Sequence, residues 1–584
     1  MTLSEVRVKI FDFFKFSQNY IYKHKLTVVT YIYSLFELVY HYMKQNEGEV
    51  FMSIFKSRLL VLFLVLVTVL VACGTNEDST EEGTEEEPNQ ETPTSGGNLI
   101  IGLSSNAATL DPTLYTGVYE SQIMRSIADT LIVYDQDLQS FVPSLATDWE
   151  AADDMMSYTF SIRENVYFQP GEYQDGRLMT AEDVKYSLER SAETSAQNRL
   201  AGVESVEVTG EYEVVIHLEE PNSALLAMLT DQGNIIVPEE EVEGWGDQFG
   251  SHLIGTGPFI LDNWQTDQQV DLVKHDNYWG EEPHLDGVSY KFITDQAMMT
   301  NALRSGDVDI ATDIRGQNRE VISQDDNFEL LSTPGLSITY LDMNSQQGPT
   351  ADPKVREAIF KATNVEEIVQ GVHQWGGAVV ANGPLPQGSW GYDDSFESLK
   401  ATYDPEEAKQ ILDETDYAGG FAIDLYVLET RTNYATIFQN QMKENLNIDV
   451  NIQVSEWGTL TETVSSNNAP LNIGGWSWYP DPYFFLNPRF HSDQHGSNGN
   501  GKGYQSDVVD ELLDRALTET VEQAERAELY QEAVTEIMND YATIEFDNLE
   551  IATGINPKVN GFNLSPDGSI YVVSPNGVNI SITE

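Results

Sequence analysis

The feature that most constrains this chain is its single cysteine, Cys73, which directly follows an apolar run over residues 59–72. One cysteine cannot form a disulfide within the chain, and it cannot build a cysteine-rich metal site. Any fold must therefore be stabilised by its own hydrophobic cores. With 584 residues, of which 41% are hydrophobic, the chain is long enough for more than one such core.

The segment before Cys73 has the layout of an export signal. Lys56 and Arg58 precede the apolar run, and small residues end it. Residues 70–73 (LVAC) resemble the bacterial lipobox, which implies cleavage before Cys73 and attachment of a lipid to its sulfur. We therefore expect residues 52–72 to be a lipoprotein signal peptide. The alternative is a transmembrane helix with a chance cysteine, although the run is shorter than the roughly 20 residues of a span.

The segments on either side of this signal need explanations of their own. Residues 1–51 are rich in Phe and Tyr and form either an extra membrane segment or, as we prefer, an extension from a wrongly assigned start codon. Glu47-Gly48-Glu49 can be encoded by a purine-rich string that resembles a ribosome-binding site upstream of Met52. Residues 73–97 contain no Lys or Arg and many Glu, which predicts a flexible acidic tether.

The charge balance excludes one class of partner. The chain has 94 acidic residues against 31 basic residues, a formal net charge of -63. Nucleic acid binding needs clustered Lys and Arg, so we expect no nucleic acid partner. Attraction to an anionic membrane surface is also disfavoured, which leaves a lipid on Cys73 as the expected attachment to a membrane.

From Asn98 onwards, strand patterns and helix patterns alternate, which predicts a large α/β protein of two or three lobes. Predicted strands cover residues 98–103, 158–162, 212–218, 422–428 and 450–454. Predicted helices cover residues 180–190, 352–362, 404–412 and 432–445, and a helix pair covers 506–539. Thr180, Asp352 and Asp404 are the expected N-caps, and a proline follows each of the two aspartates.

Short motifs occur in one order along this part of the chain. They are 143–149 (PSLATDW), 175–184 (DGRLMTAEDV), 255–259 (GTGPF), 277–279 (NYW), 305–309 (SGDVD), 352–358 (DPKVREA), 382–386 (NGPLP), 403–409 (YDPEEAK), 475–482 (GWSWYPDP) and 509–513 (VDELL). The series resembles the oligopeptide/dipeptide-type extracellular solute-binding proteins, family 5, of bacterial ABC importers. The resemblance covers residues 98–584, essentially the whole mature chain.

The resemblance implies a fold, a division into domains and a function. The fold is the type II periplasmic-binding-protein class of α/β fold, with two lobes that close by a hinge and an extra α/β domain. Lobe I would comprise residues 98–130, 238–335 and 545–584. The extra domain would cover 131–237, and lobe II would cover 336–544.

The implied function is capture of an extracellular peptide or peptide-like solute and its delivery to the permease subunits of an ABC importer. ATPase subunits would act indirectly, and the protein would be a monomer without cofactors, anchored by lipid on the outer face of the cytoplasmic membrane. A signalling or pheromone-sensing lipoprotein is an alternative. The chain has no nucleophile elbow, zinc-protease motif, phosphate loop or dinucleotide fingerprint, so we expect no enzyme.

The resemblance also implies ligand-binding residues. In this family the chain around two tryptophans lines the cleft, and we expect Trp457 and Trp476 to do so here. The string after Trp476 places Trp478, Tyr479 and Asp481 in the same region. Aromatic side chains offer large rigid surfaces for variable ligand side chains.

Two further loops hold expected ligand contacts, and one expected acid is missing. Thr116 and Val118 occupy the place of the family's early ligand loop, and Asp313 occupies another contact loop. Peptide-binding members often carry an acid after the second tryptophan that pairs with the ligand's α-amino group. Here the string is one residue shorter, and Asp481 is either its replacement or a turn residue between Pro480 and Pro482. The ligand is therefore a peptide or, alternatively, a non-peptide solute such as an oligosaccharide, an opine-like compound or a nickel chelate.

A histidine pair, His491 and His495, has the spacing of helical metal ligands. Four glycines follow within eight residues, which favours a loop, and we expect no metal site there.

Overall fold

A computed structural model describes residues 96–400 and 402–583. The first strand begins at Asn98, as the sequence predicts. The predictions for the start extension, the signal peptide, the lipid on Cys73 and the tether up to residue 95 lie outside the described residues.

The described chain is a mixture of strands and helices. The strands are β1 Asn98–Leu103, β2 Ile132–Tyr134, β3 Phe141–Pro143, β4 Ala146–Ala151, β5 Ser157–Ile162, β6 Val203–Gly210, β7 Glu213–Leu218, β8 Phe259–Gln265, β9 Gln269–Lys274, β10 Gly287–Phe292, β11 Ile310–Ala311, β12 Glu329–Met343, β13 Ala378–Val380, β14 Ala422–Val427, β15 Asp449–Val454, β16 Leu471–Ser477, β17 Thr543–Ile555, β18 Val559–Asn560, β19 Val573–Ser574, β20 Val578–Asn579 and β21 Ser581–Ile582. The helices are α1 Val118–Ile127, α2 Ala181–Thr194, α3 Leu225–Met228, α4 Glu239–Trp245, α5 Gln296–Ser305, α6 Gln317–Ser323, α7 Pro353–Ala362, α8 Val365–Val372, α9 Pro405–Asp413, α10 Thr432–Leu446, α11 Trp457–Ser465, α12 Tyr483–Phe490, α13 Asp507–Thr518 and α14 Gln523–Asn539.

The predicted strands and helices are confirmed, and the three predicted N-caps lie at the starts of their helices. Thr180 and Asp183 form a capping box at the start of α2. The Asp352 carboxylate accepts a hydrogen bond from the Lys354 backbone N–H at the start of α7. The Asp404 carboxylate caps α9 in the same way. In both cases a proline fills the first helical position, where no backbone donor is needed.

One eleven-stranded sheet runs through most of the molecule. Its order is β15-β14-β16-β12-β17-β11-β1-β10-β9-β8, and β13 pairs with β17 beside this path. Strands from residues 98–311 lie at one end, and strands from residues 422–477 lie at the other. The two long strands in the middle, β12 and β17, pair along nearly their whole length and join the two ends. This arrangement agrees with the two-lobed fold that the resemblance implies.

A smaller α/β unit is separate from the main sheet. It is a four-stranded antiparallel sheet in the order β4-β5-β7-β6, with α2 packed beside it. Phe160 and Ile216 on the strands and Val184 and Leu188 on the helix are buried together in its core. The alternation of these strands produces one buried face. The unit lies within residues 131–237, the range expected for the extra domain.

Candidate functional site

A large cavity lies where β12 and β17 join the two ends of the sheet. Its volume is about 740 Å³, within the range of sites that hold small-molecule ligands. Most of its wall comes from residues 115–125, 312–319, 335–337, 477–480, 549–553 and 566–571. We call this cavity the cleft. Segments that are far apart in sequence meet there because the two central strands bring the two strand groups together.

The pairing of β12 with β17 is interrupted where β12 lines the cleft. The register shifts between Pro334 and Ile338, so residues 335–337 have no partner on β17. The Asn548 side-chain amide donates hydrogen bonds to the carbonyls of Gly335 at 2.8 Å and Ser337 at 3.0 Å. Asn548 therefore fixes this irregular backbone, which lies against the cleft.

Five of the residues predicted to bind ligand lie on the cleft wall. They are Thr116, Val118, Asp313, Trp478 and Tyr479. Val118 and Trp478 are 57% and 45% exposed, so both side chains are accessible to a ligand in the cleft. Their exposure inside a concave site fits a surface that a ligand covers.

Asp313 is held in place by its neighbours. It has a φ of 59°, a left-handed conformation that is uncommon for a residue other than glycine. Its carboxylate accepts a hydrogen bond from the Ser104 hydroxyl at 2.8 Å and pairs with Arg315 at 2.7 Å. The strained backbone and these contacts fix the loop after β11 at the cleft edge.

The other three predicted residues lie outside the cleft wall. Trp457 is the first residue of α11 and is 61% exposed. The Trp476 indole N–H donates to the Phe484 carbonyl at 2.7 Å, and its ring stacks on Trp478 at 6.3 Å between centroids. Trp476 therefore packs against Trp478.

Asp481 has the structural role that the sequence left as the alternative. It is 0% exposed, and its carboxylate pairs with the buried Arg526 of α14 at 2.8 Å. It also accepts a hydrogen bond from the backbone N–H of Tyr483 at 2.9 Å, which is a turn contact at the start of α12. The expectation that Asp481 meets the ligand's amine is therefore not supported, because its charge is neutralised inside the protein.

One acid on the cleft wall that the sequence motifs did not indicate is Asp231. Its carboxylate accepts hydrogen bonds from the hydroxyls of Tyr115 at 2.8 Å and Tyr479 at 2.9 Å. Arg199 pairs with it at 2.7 Å. Asp231 therefore links three segments, two of which lie more than 100 residues away in the sequence. No motif surrounds Asp231 in the sequence. The only related prediction was the cleft position of Tyr479, whose hydroxyl bonds to it.

Burial determines the protonation of the two tyrosines at Asp231. Burial raises the pKa of Tyr115 and of Tyr479 well above the usual range, and the negative charge of Asp231 raises both further. Both hydroxyls therefore remain protonated and act as donors to the carboxylate. The cluster formed by Asp231, Tyr115, Tyr479 and Arg199 is called the Asp231 cluster below.

The sequence profile of the family described as bacterial extracellular solute-binding proteins, family 5 Middle, matches residues 140–497. This span is more than half of the chain. The protein belongs to this family. It is therefore a family 5 solute-binding protein, of the class that serves ABC importers, and the relatives that share this class are binding proteins and not enzymes.

Three relatives of this solute-binding protein show the range of the similarity. It is 29% identical to the "Probable D,D-dipeptide-binding periplasmic protein DdpA" of Escherichia coli K12, over 80% of this chain and 92% of that protein. It is 27% identical to "Heme-binding protein A" of Haemophilus influenzae Rd, over 87% of this chain and 97% of that protein. A solved structure, the ABC transporter-associated periplasmic binding protein DppA of Helicobacter pylori in complex with the peptide STSA, matches with a TM-score of 0.67 and 26% identity, over 84% of this chain and 99% of that chain.

These similarities establish the fold of the solute-binding protein as the type II periplasmic-binding-protein fold. In the part of the chain that the structure describes, no helix combines the length and the apolar character needed to cross a bilayer. The same part contains no group of three or more His, Cys, Asp or Glu side chains placed to hold a metal ion. The His491 imidazole lies 3.2 Å from the Asp514 carboxylate, and residues 492–494 form a single 3₁₀ turn and not an α-helix.

Proposed function

We propose that this protein is the lipid-anchored substrate-binding component of an ABC importer that captures extracellular peptides or peptide-like solutes. The observation that carries the proposal is the cleft of about 740 Å³ at the central strands, with Trp478 and Tyr479 on its wall. Relatives over nearly the whole mature chain carry names of dipeptide-binding and glutathione-binding proteins, which supports the same ligand class.

The cleft has the features that a binder of varied peptides requires. Trp478 and Tyr479 offer flat apolar surfaces with polar edges, which suit different side chains. Gly335 and Leu336 have no register partner on β16 or β17 and lie on the cleft wall, where their backbone is suited to hydrogen bonding with a peptide backbone. In this proposal, the ligand contacts both lobes, and its binding free energy favours the closed form over the open form.

The lipid anchor on Cys73 belongs to the same proposal. A lipid there would keep the binding protein close to the permease and raise its local concentration at the membrane. Mass spectrometry of the protein purified from bacterial membranes tests this point. We expect a diacylglycerol-modified N-terminal Cys73, and a C73A variant that is released from membranes. An unmodified chain that still begins at residue 1 or 52 would contradict the anchor.

The ligand class is tested by thermal unfolding of the mature protein with a panel of di- to tetrapeptides. A ligand at 100 times its Kd stabilises the native state by about 2.7 kcal/mol, so a binding peptide raises the Tm by several degrees. Oligosaccharides, an opine, a nickel chelate and haem form the comparison panel. A Tm shift from one of these alone would contradict the peptide part of the proposal.

Two tryptophan variants relate that shift to the cleft. We expect W478A to lose most of the peptide-induced Tm shift, because Trp478 lies on the cleft wall. W457A is a matched change at an exposed tryptophan outside that wall, and the structure predicts that it keeps the shift. Loss of the shift in W457A alone would place the site near α11 instead.

A non-peptide solute is the second candidate, and one observation favours it. Asp481, the acid nearest in sequence to the expected amine-binding position, is buried against Arg526 and does not face the cleft. A relative named as a haem-binding protein and a structural relative solved with agropinic acid show that similar chains occur with other ligand classes. The comparison panel described above distinguishes this candidate from the first.

A further inference from the structure

The arginines on the cleft wall differ in whether a carboxylate of the protein pairs with their guanidinium group. Four arginines lie on this wall. Three have a carboxylate partner at 2.6–2.7 Å, namely Arg199 with Asp231, Arg315 with Asp313 and Arg319 with Glu550. The fourth, Arg125, makes no ion pair among the described residues. The cleft therefore contains one cation whose charge the protein leaves without a direct partner.

Arg125 is held in position by other contacts, although it has no ion-pair partner among the described residues. It lies in the last turn of α1, and its Nη1 donates a hydrogen bond to the Tyr571 hydroxyl at 2.7 Å. Its guanidinium also lies over the Tyr571 ring, 5.0 Å from the centroid. The Nε atom is buried and has no hydrogen-bond partner. A buried, oriented donor without an acceptor is costly in a folded protein, and a ligand group can remove that cost.

Two carboxylates, Asp567 and Asp231, are close enough to act on Arg125 electrostatically, but both already accept hydrogen bonds from other donors. Asp567 accepts hydrogen bonds from the Ser569 backbone N–H at 2.9 Å and from the Ser569 hydroxyl at 2.6 Å. Asp231 is occupied by Arg199 and two tyrosine hydroxyls, as described above. Neither acid forms an ion pair with Arg125, so the guanidinium keeps its capacity to bind an anion from outside.

The free edge of the guanidinium defines the kind of anion. The Tyr571 hydroxyl accepts a hydrogen bond from Nη1, and among the described residues neither Nε nor Nη2 of Arg125 makes one. The N–H groups of Nε and Nη2 lie along one edge of the planar group, spaced to donate to both oxygens of a carboxylate. We propose that Arg125 binds a carboxylate of the ligand through this edge, with Tyr571 as a positioning residue.

A second unpartnered atom lies one helical turn away on the same wall. Gln122 is 5% exposed, and its Nε2 donates to the Gly568 carbonyl at 2.9 Å. Its Oε1 is buried without a donor. Residues three apart on a helix share a face, so this acceptor and the Arg125 donors lie side by side along α1. This pair suits a ligand end that carries an amide N–H next to a carboxylate, as the C-terminus of a peptide does.

This inference rests on the proposed function, because it assigns an end of the peptide to a subsite of the same cleft. The test uses two pools of di- to tetrapeptides that differ only in the C-terminus, one with free acids and one with amides. Native mass spectrometry measures which pool the mature protein retains. We expect the wild-type protein to bind free acids at least about tenfold more tightly than the matching amides.

Charge-matched variants identify the residue responsible. We expect R125Q to weaken binding of free acids by about tenfold to a hundredfold and to abolish the preference over amides. R125K retains the positive charge but cannot make the bidentate contact through Nε and Nη2. It should therefore recover only part of the affinity for free acids. R304Q removes one positive charge at the exposed Arg304–Asp325 pair outside the cleft and should keep both affinity and preference. The Tm of each variant without ligand verifies that it is folded.

The outcomes separate this inference from the proposed function. Equal retention of amides and acids by the wild-type protein, or a preference that survives in R125Q, would overturn the Arg125 assignment and leave peptide binding in place. Retention of neither pool would contradict peptide binding itself, and the assignment would fail with it. Loss of the acid preference in R304Q as well as in R125Q would show a general charge effect and would overturn the assignment.

Discussion

Asp481 and Asp231 are both paired with a buried arginine, yet they serve different parts of the molecule. Asp481 pairs with Arg526 at 2.8 Å, and neither side chain is more than 1% exposed. Asp231 pairs with Arg199 at 2.7 Å at the cleft wall and also holds the hydroxyls of Tyr115 and Tyr479. The first pair lies within a hydrophobic core, and the second joins segments around the cleft.

The difference shows that nearness to a motif in the sequence does not decide which side chains face a ligand. Trp478 and Tyr479 point into the cleft, and Asp481, two residues later, points into the core. Pro480 and Pro482 fix the backbone on both sides of Asp481, and the turn at the start of α12 directs its carboxylate toward α14.

Removal of the core pair should mainly change stability. D481A leaves Arg526 buried without its counter-ion, so we expect the free energy of unfolding to fall by about 3–5 kcal/mol. Urea denaturation measures this loss. The double variant D481A/R526M should recover much of it, because an apolar side chain then occupies the site. A D481A protein with native stability and lost ligand affinity would show that Asp481 belongs to the ligand site.

Asp129 extends the comparison to a buried acid that has no ion-pair partner among the described residues. Its carboxylate accepts hydrogen bonds from the Thr256 hydroxyl at 2.8 Å and from the Trp279 indole at 2.9 Å. Burial raises its pKa to about 6, although these two hydrogen bonds act in the opposite direction. An acid whose pKa is higher in the folded state binds its proton more tightly there, so its contribution to stability is lost as pH rises.

The pH window follows from the two pKa values. The contribution is complete below the unfolded value of 3.8 and is lost as pH rises to about 6, a change of about 3 kcal/mol. We expect the stability of wild type relative to D129N to fall by this amount between about pH 4 and pH 7. Urea denaturation across that range measures the difference. Parallel stability curves for the two proteins would show that Asp129 titrates normally.

Disruption of the Asp231 cluster should affect stability less and ligand binding more. Y479F removes one hydrogen bond to Asp231, which contributes about 1 kcal/mol. We expect a small loss of stability and a threefold to tenfold loss of peptide affinity, because Tyr479 also lies on the cleft wall. Y483F is the matched control, since the Tyr483 hydroxyl makes no hydrogen bond among the described residues. Equal effects of Y479F and Y483F on affinity would contradict a role for the cluster in the site.

The secondary structure could be predicted from the sequence where local signals determine it. Thr180, Asp352 and Asp404 mark helix starts through contacts within a few residues, and the structure confirms all three. The strand at Asn98–Leu103 was predictable for a similar reason, because a short apolar run is typical of a buried strand. These features depend on neighbours in sequence, so one sequence is enough to find them.

The site could be predicted only in part, because it depends on contacts between distant segments. The resemblance indicated Thr116, Val118, Asp313, Trp478 and Tyr479, which all lie on the cleft wall. Asp231 and Arg125 are different, because each gains its significance from partners that lie far away in the sequence. Arg125 lies on an amphipathic helix, where its sequence context indicates only a basic residue in the last turn. Its free guanidinium edge becomes visible only beside Tyr571.

The most direct test of the account is to identify the ligand that the protein carries when it leaves the cell. The mature protein is purified under native conditions from its host grown in peptide-rich medium and then denatured, and mass spectrometry identifies and quantifies the released solutes. The account predicts peptides or peptide-like solutes with a free carboxylate, near one molecule per protein, and little release from R125Q. An oligosaccharide, haem or a metal chelate near that stoichiometry, or a protein that carries no peptide under these conditions, would contradict it.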